Sequence, residues 1–248
     1  MKKNNDDIDF NGFIRDTREM FLLPLDSEDS EIVTKTATHF LTSLRLLEAD
    51  SKEPIVLHSF SIGGDWYEGM VIYDAIKYSS CKFIIISYGI AASMASLIPQ
   101  AAYPHGKRVT MPNCDWMIHE GYTATQGTYR QVLSGAQWDQ ILRSRTYEMY
   151  TYPCLATGEF FKGKKISQVE SHIKRKLESK EDWWMSSKDS VKYGFCDHIV
   201  GEEELETVDT IVNNVSRILG SMVFLCLPIW QTECPKILHL WIYLCLVL

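Results

Sequence analysis

The stretch Phe83-Ile84-Ile85-Ile86-Ser87-Tyr88-Gly89-Ile90-Ala91-Ala92-Ser93-Met94-Ala95-Ser96 (residues 83–96) decides the fold, because it predicts a strand that leads directly into a helix. The compact apolar run Phe83–Ile86 is typical of a buried strand. Small residues follow it, and we expect the helix to begin near Ala91. Ser93 then lies at the helix N-terminus with an accessible hydroxyl, and the Met94 N–H is placed to stabilise an oxyanion.

Strand and helix patterns alternate on both sides of this stretch. Three further apolar runs predict strands: Ile55–Leu57, Arg108–Met111 and Trp116–Ile118. Helical spacing predicts a helix marked by Val33 to Leu47 after a start at Ser27 or Ser30, one from an Asp65–Glu68 capping box to Ile76, and later ones marked by Tyr129 to Leu142, Val169 to Leu177 and Ser186 to Gly194. This alternation predicts an α/β fold, and the lack of an internal repeat favours one main domain.

Composition excludes several classes of protein. The chain has 248 residues, 46% of them hydrophobic and 23% charged, which argues against a disordered or collagen-like chain. The net charge of −7 would repel the phosphates of a nucleic acid, so we expect no nucleic-acid partner. The 7 cysteines form no C-x-x-C pair, and they signal neither a zinc site nor a disulfide framework. A reducing cytoplasm is the expected location.

The two ends of the chain differ from the middle. Residues 1–17 form a polar segment without the apolar core of a secretory signal, and residues 201–220 predict an added helix over Val208–Leu219. Residues 221–248 form a hydrophobic tail, whose two apolar runs are each shorter than the roughly 20 residues that a helix needs to span a bilayer. Two explanations of this tail stay open: loosely selected sequence, or docking into a subunit groove or onto a membrane surface.

Four features are candidates for chemistry, although each alone has an ordinary structural explanation. Gly63-Gly64 offers unshielded amides but also fits a strand-to-helix turn. Ser93 is a candidate nucleophile or a plain serine at a helix start. His119 ends a predicted strand, where an imidazole is well presented, yet a lone histidine is more often structural. Asp182 precedes Trp183 and Trp184, which we expect to bury its carboxylate.

Taken together, these residues supply a nucleophile, a base, an orienting carboxylate and oxyanion donors, each at the end of a predicted element. Over about Arg18–Val200 the sequence resembles the proteolytic subunits of the Clp protease family. Five blocks carry the resemblance: Ser61-Ile62-Gly63-Gly64 with Gly69–Asp74, Ala91-Ala92-Ser93-Met94, Gly106-Lys107-Arg108 with Met111-Pro112-Asn113, Met117-Ile118-His119, and Val191–Gly194 with Asp197. Their shared order is far more specific than any single block.

The resemblance implies a serine endopeptidase with a crotonase-like core of stacked β-sheets, surrounding helices and a protruding handle helix, over residues 18–200. It assigns the nucleophile to Ser93, the general base to His119, the orienting carboxylate to Asp182, and the oxyanion-hole amides to Gly64 and Met94. It further implies heptameric rings stacked in pairs and unfolded proteins or peptides as substrates. The subunit itself would need no metal or cofactor, and ATP would be used by a partner Clp-type ATPase.

Other interpretations remain open at this point. Ile62 replaces the proline usual before the paired glycines, and Met1–Asn11 contains no recognisable counterpart of the family's pore loop. Both departures keep open a non-catalytic structural subunit of a mixed ring. An acyl-CoA hydratase or isomerase on the related crotonase fold would use carboxylates as acid and base. A Ser-Lys peptidase would leave the His119 and Asp182 blocks unexplained.

Overall fold

The computed structural model describes residues 12–22, 31–202 and 205–220 of the chain. The strands are β1 (Phe13–Ile14), β2 (Glu19–Leu22), β3 (Glu31–Ile32), β4 (Ile55–Ser61), β5 (Gly63–Gly64), β6 (Phe83–Ala92), β7 (Lys107–Thr110), β8 (Asp115–Ile118), β9 (Trp183–Met185) and β10 (His198–Ile199). The α-helices are α1 (Thr34–Asp50), α2 (Trp66–Lys77), α3 (Met94–Leu97), α4 (Tyr129–Thr157), α5 (Ile166–Lys180), α6 (Ser187–Tyr193), α7 (Val208–Asn213) and α8 (Val215–Gly220). Short 3-10 helices cover Ile98–Ala102 and Glu159–Phe161.

The central sheet has the strand order β1-β2-β4-β6-β7-β10. Its neighbouring strands are parallel except for the antiparallel pair β1 and β2. Parallel neighbours need a crossover connection, and helices α1 and α2 supply it before β4 and β6. The predicted α/β class is therefore confirmed.

Strand β6 joins the central sheet to a second branch. Its first half pairs with β4 and β7, whereas Ile90–Ala92 pairs with β8, which continues antiparallel to β9. Gly89 lies between the two halves with φ at 55°, a left-handed value that suits glycine. The predicted helix start near Ala91 is wrong, because Ala91 and Ala92 still pair with β8 and α3 begins only at Met94.

The sheet buries apolar side chains on both faces. Phe83 and Ile85 of β6 belong to the larger core, which contains the buried faces of α1 and α2. Ile84 and Ile86 point to the opposite face, since side chains alternate along a strand, and they pack in a second core with residues of α7 and α8. The helix expected over Val208–Leu219 is two short helices that are separated at Asn214.

The first two long helices form where the sequence predicts them, but details of their N-terminal ends differ. Ala37, Phe40, Leu44 and Leu47 of α1 are buried as their spacing predicts, but Leu41 is exposed. Ser27 and Ser30 lie outside the described residues, but the expected helix start there is wrong, because β3 covers Glu31–Ile32 and α1 begins only at Thr34. The Asp65 carboxylate caps α2 by accepting hydrogen bonds from the N–H groups of Tyr67 and Glu68 at 2.7 and 3.2 Å. The second half of the expected capping box is replaced, because the Glu68 carboxylate accepts from the Thr34 hydroxyl at 2.7 Å.

Helix α4 has 29 residues, and its two halves differ in burial. Its buried residues begin at Thr146, whereas the apolar residues that predicted its first half are exposed or half-buried: Tyr129, Val132, Leu133, Ala136, Ile141 and Leu142. The spacing correctly predicts a helix there but not a buried face. This exposed half corresponds in position to the handle helix that the resemblance implies. In the part of the chain that the structure describes, none of the helices combines the length and apolar character needed to cross a membrane. The tail at 221–248 lies outside that part, and the division into segments stays a prediction.

Candidate active site

Ser93 occupies the turn between β6 and α3. Its φ of 52° and ψ of −124° place it in a backbone region that residues with side chains rarely adopt. The Ser93 N–H donates to the Met117 carbonyl at 2.8 Å, which fixes the turn against β8. A Cβ on Gly63 would lie only 2.6 Å from the Ser93 Cβ, so the turn also needs a glycine beside it. A strained strand-to-helix turn of this kind projects a serine hydroxyl away from the sheet.

His119 reaches Ser93 because β6 and β8 run side by side. Ala92 pairs with Met117 in this parallel ladder, so the residues after both strands emerge at the same edge. His119 Nε2 lies 2.6 Å from Ser93 Oγ, within hydrogen-bonding distance. The imidazole is therefore placed to take the hydroxyl proton.

Asp182 is brought to His119 by the antiparallel pair β8 and β9. Ile118 pairs with Trp183, and one further step along both strands places His119 beside Asp182. Asp182 Oδ1 lies 3.4 Å from His119 Nδ1, an ion-pair distance longer than a normal hydrogen bond. The expectation that both tryptophans bury the carboxylate is wrong: Trp183 is buried, Trp184 is exposed, and the Asp182 side chain is 50% exposed.

The paired glycines pack closely against Ser93 and β3. Gly63 and Gly64 have φ values of 107° and 149°, and β5 pairs with β3. A Cβ on Gly64 would lie 2.3 Å from the Ile32 carbonyl oxygen, which a side chain cannot approach. The Asp65 N–H donates to that same oxygen at 3.0 Å. Because successive N–H groups of an extended chain point in opposite directions, the Gly64 N–H faces away from β3.

Two sets of hydrogen bonds that support the site are not predicted from the sequence. Ser96 Oγ donates to the Ser93 carbonyl at 2.7 Å and lies 2.8 Å from the Tyr150 hydroxyl. Glu120, the residue after His119, accepts hydrogen bonds from Tyr147 and Arg143. The positions 143, 147 and 150 share a helical face, which the sequence shows, but their partners lie 23 to 54 residues away along the chain.

Burial keeps the two tyrosine hydroxyls protonated. Desolvation raises the pKa of Tyr150 and of Tyr147, and the Glu120 carboxylate adds to the rise at Tyr147. Both groups therefore act as hydrogen-bond donors at neutral pH. Among the described residues, no three histidine, cysteine, aspartate or glutamate side chains are grouped in a way that would hold a metal ion.

Comparison with known proteins identifies the family of the chain. The sequence model of the Clp protease family matches residues 9–203. The ATP-dependent Clp protease proteolytic subunit 1 of Leifsonia xyli subsp. xyli is 32% identical over 171 residues, covering 68% of this chain and 79% of that protein. The ATP-dependent Clp protease proteolytic subunit of Streptococcus mutans is 30% identical over 171 residues, covering 68% of this chain and 81% of that protein.

A solved structure shows the same fold. A mutant of ClpP1 from Listeria monocytogenes superimposes with a TM-score of 0.60 at 23% identity, covering 79% of this chain and 95% of that chain. Its crotonase-like fold confirms the expected architecture. The chain therefore belongs to the Clp protease family and is a peptidase of the proteolytic-subunit type.

Proposed function

We propose that this serine endopeptidase cleaves peptide bonds with Ser93 as nucleophile, His119 as general base and Asp182 as the carboxylate that orients the imidazole. The observation that carries the proposal is the distance of 2.6 Å between Ser93 Oγ and His119 Nε2. Nucleophile and base must lie within hydrogen-bond reach before the hydroxyl can be activated. The positive φ of Ser93 supports the same role, because strained backbone often occurs at functional sites.

The steps follow from this geometry. Ser93 Oγ attacks the peptide carbonyl carbon while His119 Nε2 takes the hydroxyl proton. The N–H groups of Gly64 and Met94 donate to the oxyanion of the tetrahedral intermediate. The C–N bond then breaks as His119 returns the proton to the leaving amine, and an acyl-enzyme forms. Water, deprotonated by His119, hydrolyses the ester and regenerates Ser93. The Asp182 contact of 3.4 Å would shorten once the imidazole carries a charge.

The substrates and assembly are proposed from the family. The relatives are named proteolytic subunits of ATP-dependent Clp proteases, which supports a partner ATPase that uses the ATP. Membership of the family supports heptameric rings stacked in pairs and unfolded polypeptides as substrates. The subunit itself would hold no cofactor. The exposed apolar half of α4 supports contact with a second copy of the chain, because large exposed apolar surfaces often mark interfaces.

The free cysteines support a reducing location for the protein. Cys81, Cys114, Cys154 and Cys196 are buried free thiols in the described part of the chain. Burial raises the pKa of Cys114 to about 11 and that of Cys154 and Cys196 further, which disfavours the reactive thiolate. We therefore propose that the protein works in the cytoplasm, where thiols stay reduced.

Active-site labelling combined with size measurement tests the proposal. A fluorophosphonate probe should label Ser93 in the wild-type protein and fail to label Ser93→Ala, with both proteins eluting at the size of a ring. A ring of correct size that is not labelled would instead identify a non-catalytic structural subunit.

A further inference from the structure

Helix α4 contacts both catalytic segments through one face. Arg143, Tyr147 and Tyr150 are spaced by four and three residues, so their side chains lie on the same side of the helix. Arg143 Nη1 and the Tyr147 hydroxyl both donate to the Glu120 carboxylate, next to His119 in the chain. The Tyr150 hydroxyl lies 2.8 Å from Ser96 Oγ on the other side of the site. We call Arg143, Tyr147 and Tyr150 the α4 bracket.

On the histidine side, the bracket anchors a segment that lies outside the strands. The ladder between β8 and β9 ends at Ile118, so His119 already lies beyond the last strand pair. Gly121 follows with φ at 87°, and a Cβ there would meet nothing within 4 Å. Glu120 is thus the anchor between the ladder and a loosely packed glycine. Its side chain is 21% exposed, which shields its bonds to the bracket in part from water.

On the serine side, the bracket supports the strained turn. Ser96 Oγ donates its proton to the Ser93 carbonyl at 2.7 Å. The Tyr150 hydroxyl must therefore be the donor to Ser96 Oγ, since that proton is already used. Tyr150 is 1% exposed and packs edge-on against Phe195, with ring centroids 5.4 Å apart. A rigid side chain thus holds the carbonyl of a residue whose φ is 52°.

We propose that the α4 bracket sets the distance between Ser93 Oγ and His119 Nε2 and thereby controls the rate of the chemical step. The proposal rests on the proposed function, in which these two atoms exchange a proton. The bracket side chains reach the two residues through Glu120 and Ser96, so they are positioning residues. Misplacement of reacting groups by about 1 Å can lower a rate by about 100-fold, so small shifts on either side are measurable.

Removal of single hydroxyl groups tests the bracket. Tyr147→Phe and Tyr150→Phe keep the buried rings but lose the hydrogen bonds to Glu120 and Ser96. We expect each to lower kcat for a short peptide substrate by about tenfold, with KM unchanged because both side chains are buried and reach the site only through Glu120 and Ser96. Tyr73→Phe on α2 is the matched control, because Tyr73 is 8% exposed and Tyr147 is 7% exposed. Labelling of Ser93 by the fluorophosphonate should slow in parallel with kcat.

Two substitutions of Arg143 test whether its positive charge matters. Arg143→Met should lower kcat in the same way, and Arg143→Lys should restore part of the rate because it keeps a cation beside Glu120. All variants are checked for assembly by size and for folding by melting temperature.

The outcomes separate the two proposals. If wild-type Ser93 is labelled but both tyrosine variants keep kcat within about twofold of wild type, the bracket is wrong and the proposed function stands. An equal loss of kcat in Tyr73→Phe would also overturn the bracket, because the effect would then be general destabilisation. If wild-type Ser93 is not labelled, the proposed function fails and the bracket falls with it.

Discussion

At Gly64 the backbone leaves no space for a side chain. The φ of 149° and the approach of Ile32 show that β5 and β3 pair only with glycine at this position. We predict that Gly64→Ala displaces the proposed oxyanion donor and lowers kcat by about 100-fold or more, the usual cost of losing one such donor. The measurement is kcat for a peptide substrate beside the rate of fluorophosphonate labelling.

Gly163→Ala is the matched control for this prediction. Gly163 also has a positive φ, 73°, but a Cβ there would meet nothing within 4 Å. This variant should lose about 1 kcal/mol or slightly more of stability from backbone strain and keep its activity. A Gly64→Ala protein with normal kcat would show that the Gly64 amide does not serve the oxyanion.

The proposed role of His119 predicts an acid limb in the activity profile. A general base must be unprotonated to accept the serine proton, so acid removes its active form. The rate of Ser93 labelling should therefore fall as the pH drops. The check is the labelling rate from pH 8 to pH 5, with circular dichroism at each pH to confirm folding. A rate that stays flat over this range would rule out a histidine base.

At the scale of elements, the residue that caps α2 stabilises the helix and lies next to the proposed oxyanion donor. Asp65 satisfies two N–H groups of the first turn and directly follows Gly64. Asp65→Ala should lower the free energy of unfolding by about 1 kcal/mol, and Asp65→Ser should restore most of it, because serine also caps well. Urea unfolding measures both. Asp74→Ala, an exposed position in the same helix, should change stability by less than about 0.5 kcal/mol.

Local patterns predict elements better than they predict partners. The apolar runs around Ile55, Phe83 and Trp116 each mark a strand, because a buried parallel strand needs apolar side chains on both faces. Periodicity also predicts α4, yet its first half is exposed, since helical spacing does not say which surface covers a face.

The candidate site shows the same division. Ser93, His119 and Asp182 could be chosen from the sequence because each directly precedes or follows a strand, and the resemblance to the family assigned their roles. The contacts of Glu120 and Ser96 with α4 could not be predicted. They depend on how a helix packs across the sheet edge, and no local signal encodes that packing.

At the scale of the whole molecule, the buried His58 and the half-buried His172 make stability depend on pH. Burial lowers the pKa of His58, although Glu19 acts in the opposite direction. Burial also lowers the pKa of His172, and the nearby cations Lys176, Lys164 and Arg175 lower it further. Below about pH 6.5 the unfolded chain binds protons that these folded imidazoles do not bind. Stability is therefore complete above this pH and declines as the pH falls toward the lower folded pKa values.

His172 offers the sharpest test of this dependence. Its Nε2 atom is buried and has no hydrogen-bond partner among the residues that the structure describes, and its ring packs among Phe160, Phe161, Trp183 and Tyr193. His172→Phe keeps an aromatic ring in this cluster and removes the titrating group. We expect the melting temperature of this variant to fall less than that of wild type between pH 7 and pH 5. His105→Gln, at an exposed position, should leave the wild-type slope unchanged. Equal slopes in wild type and His172→Phe would show that the acid sensitivity arises elsewhere in the molecule.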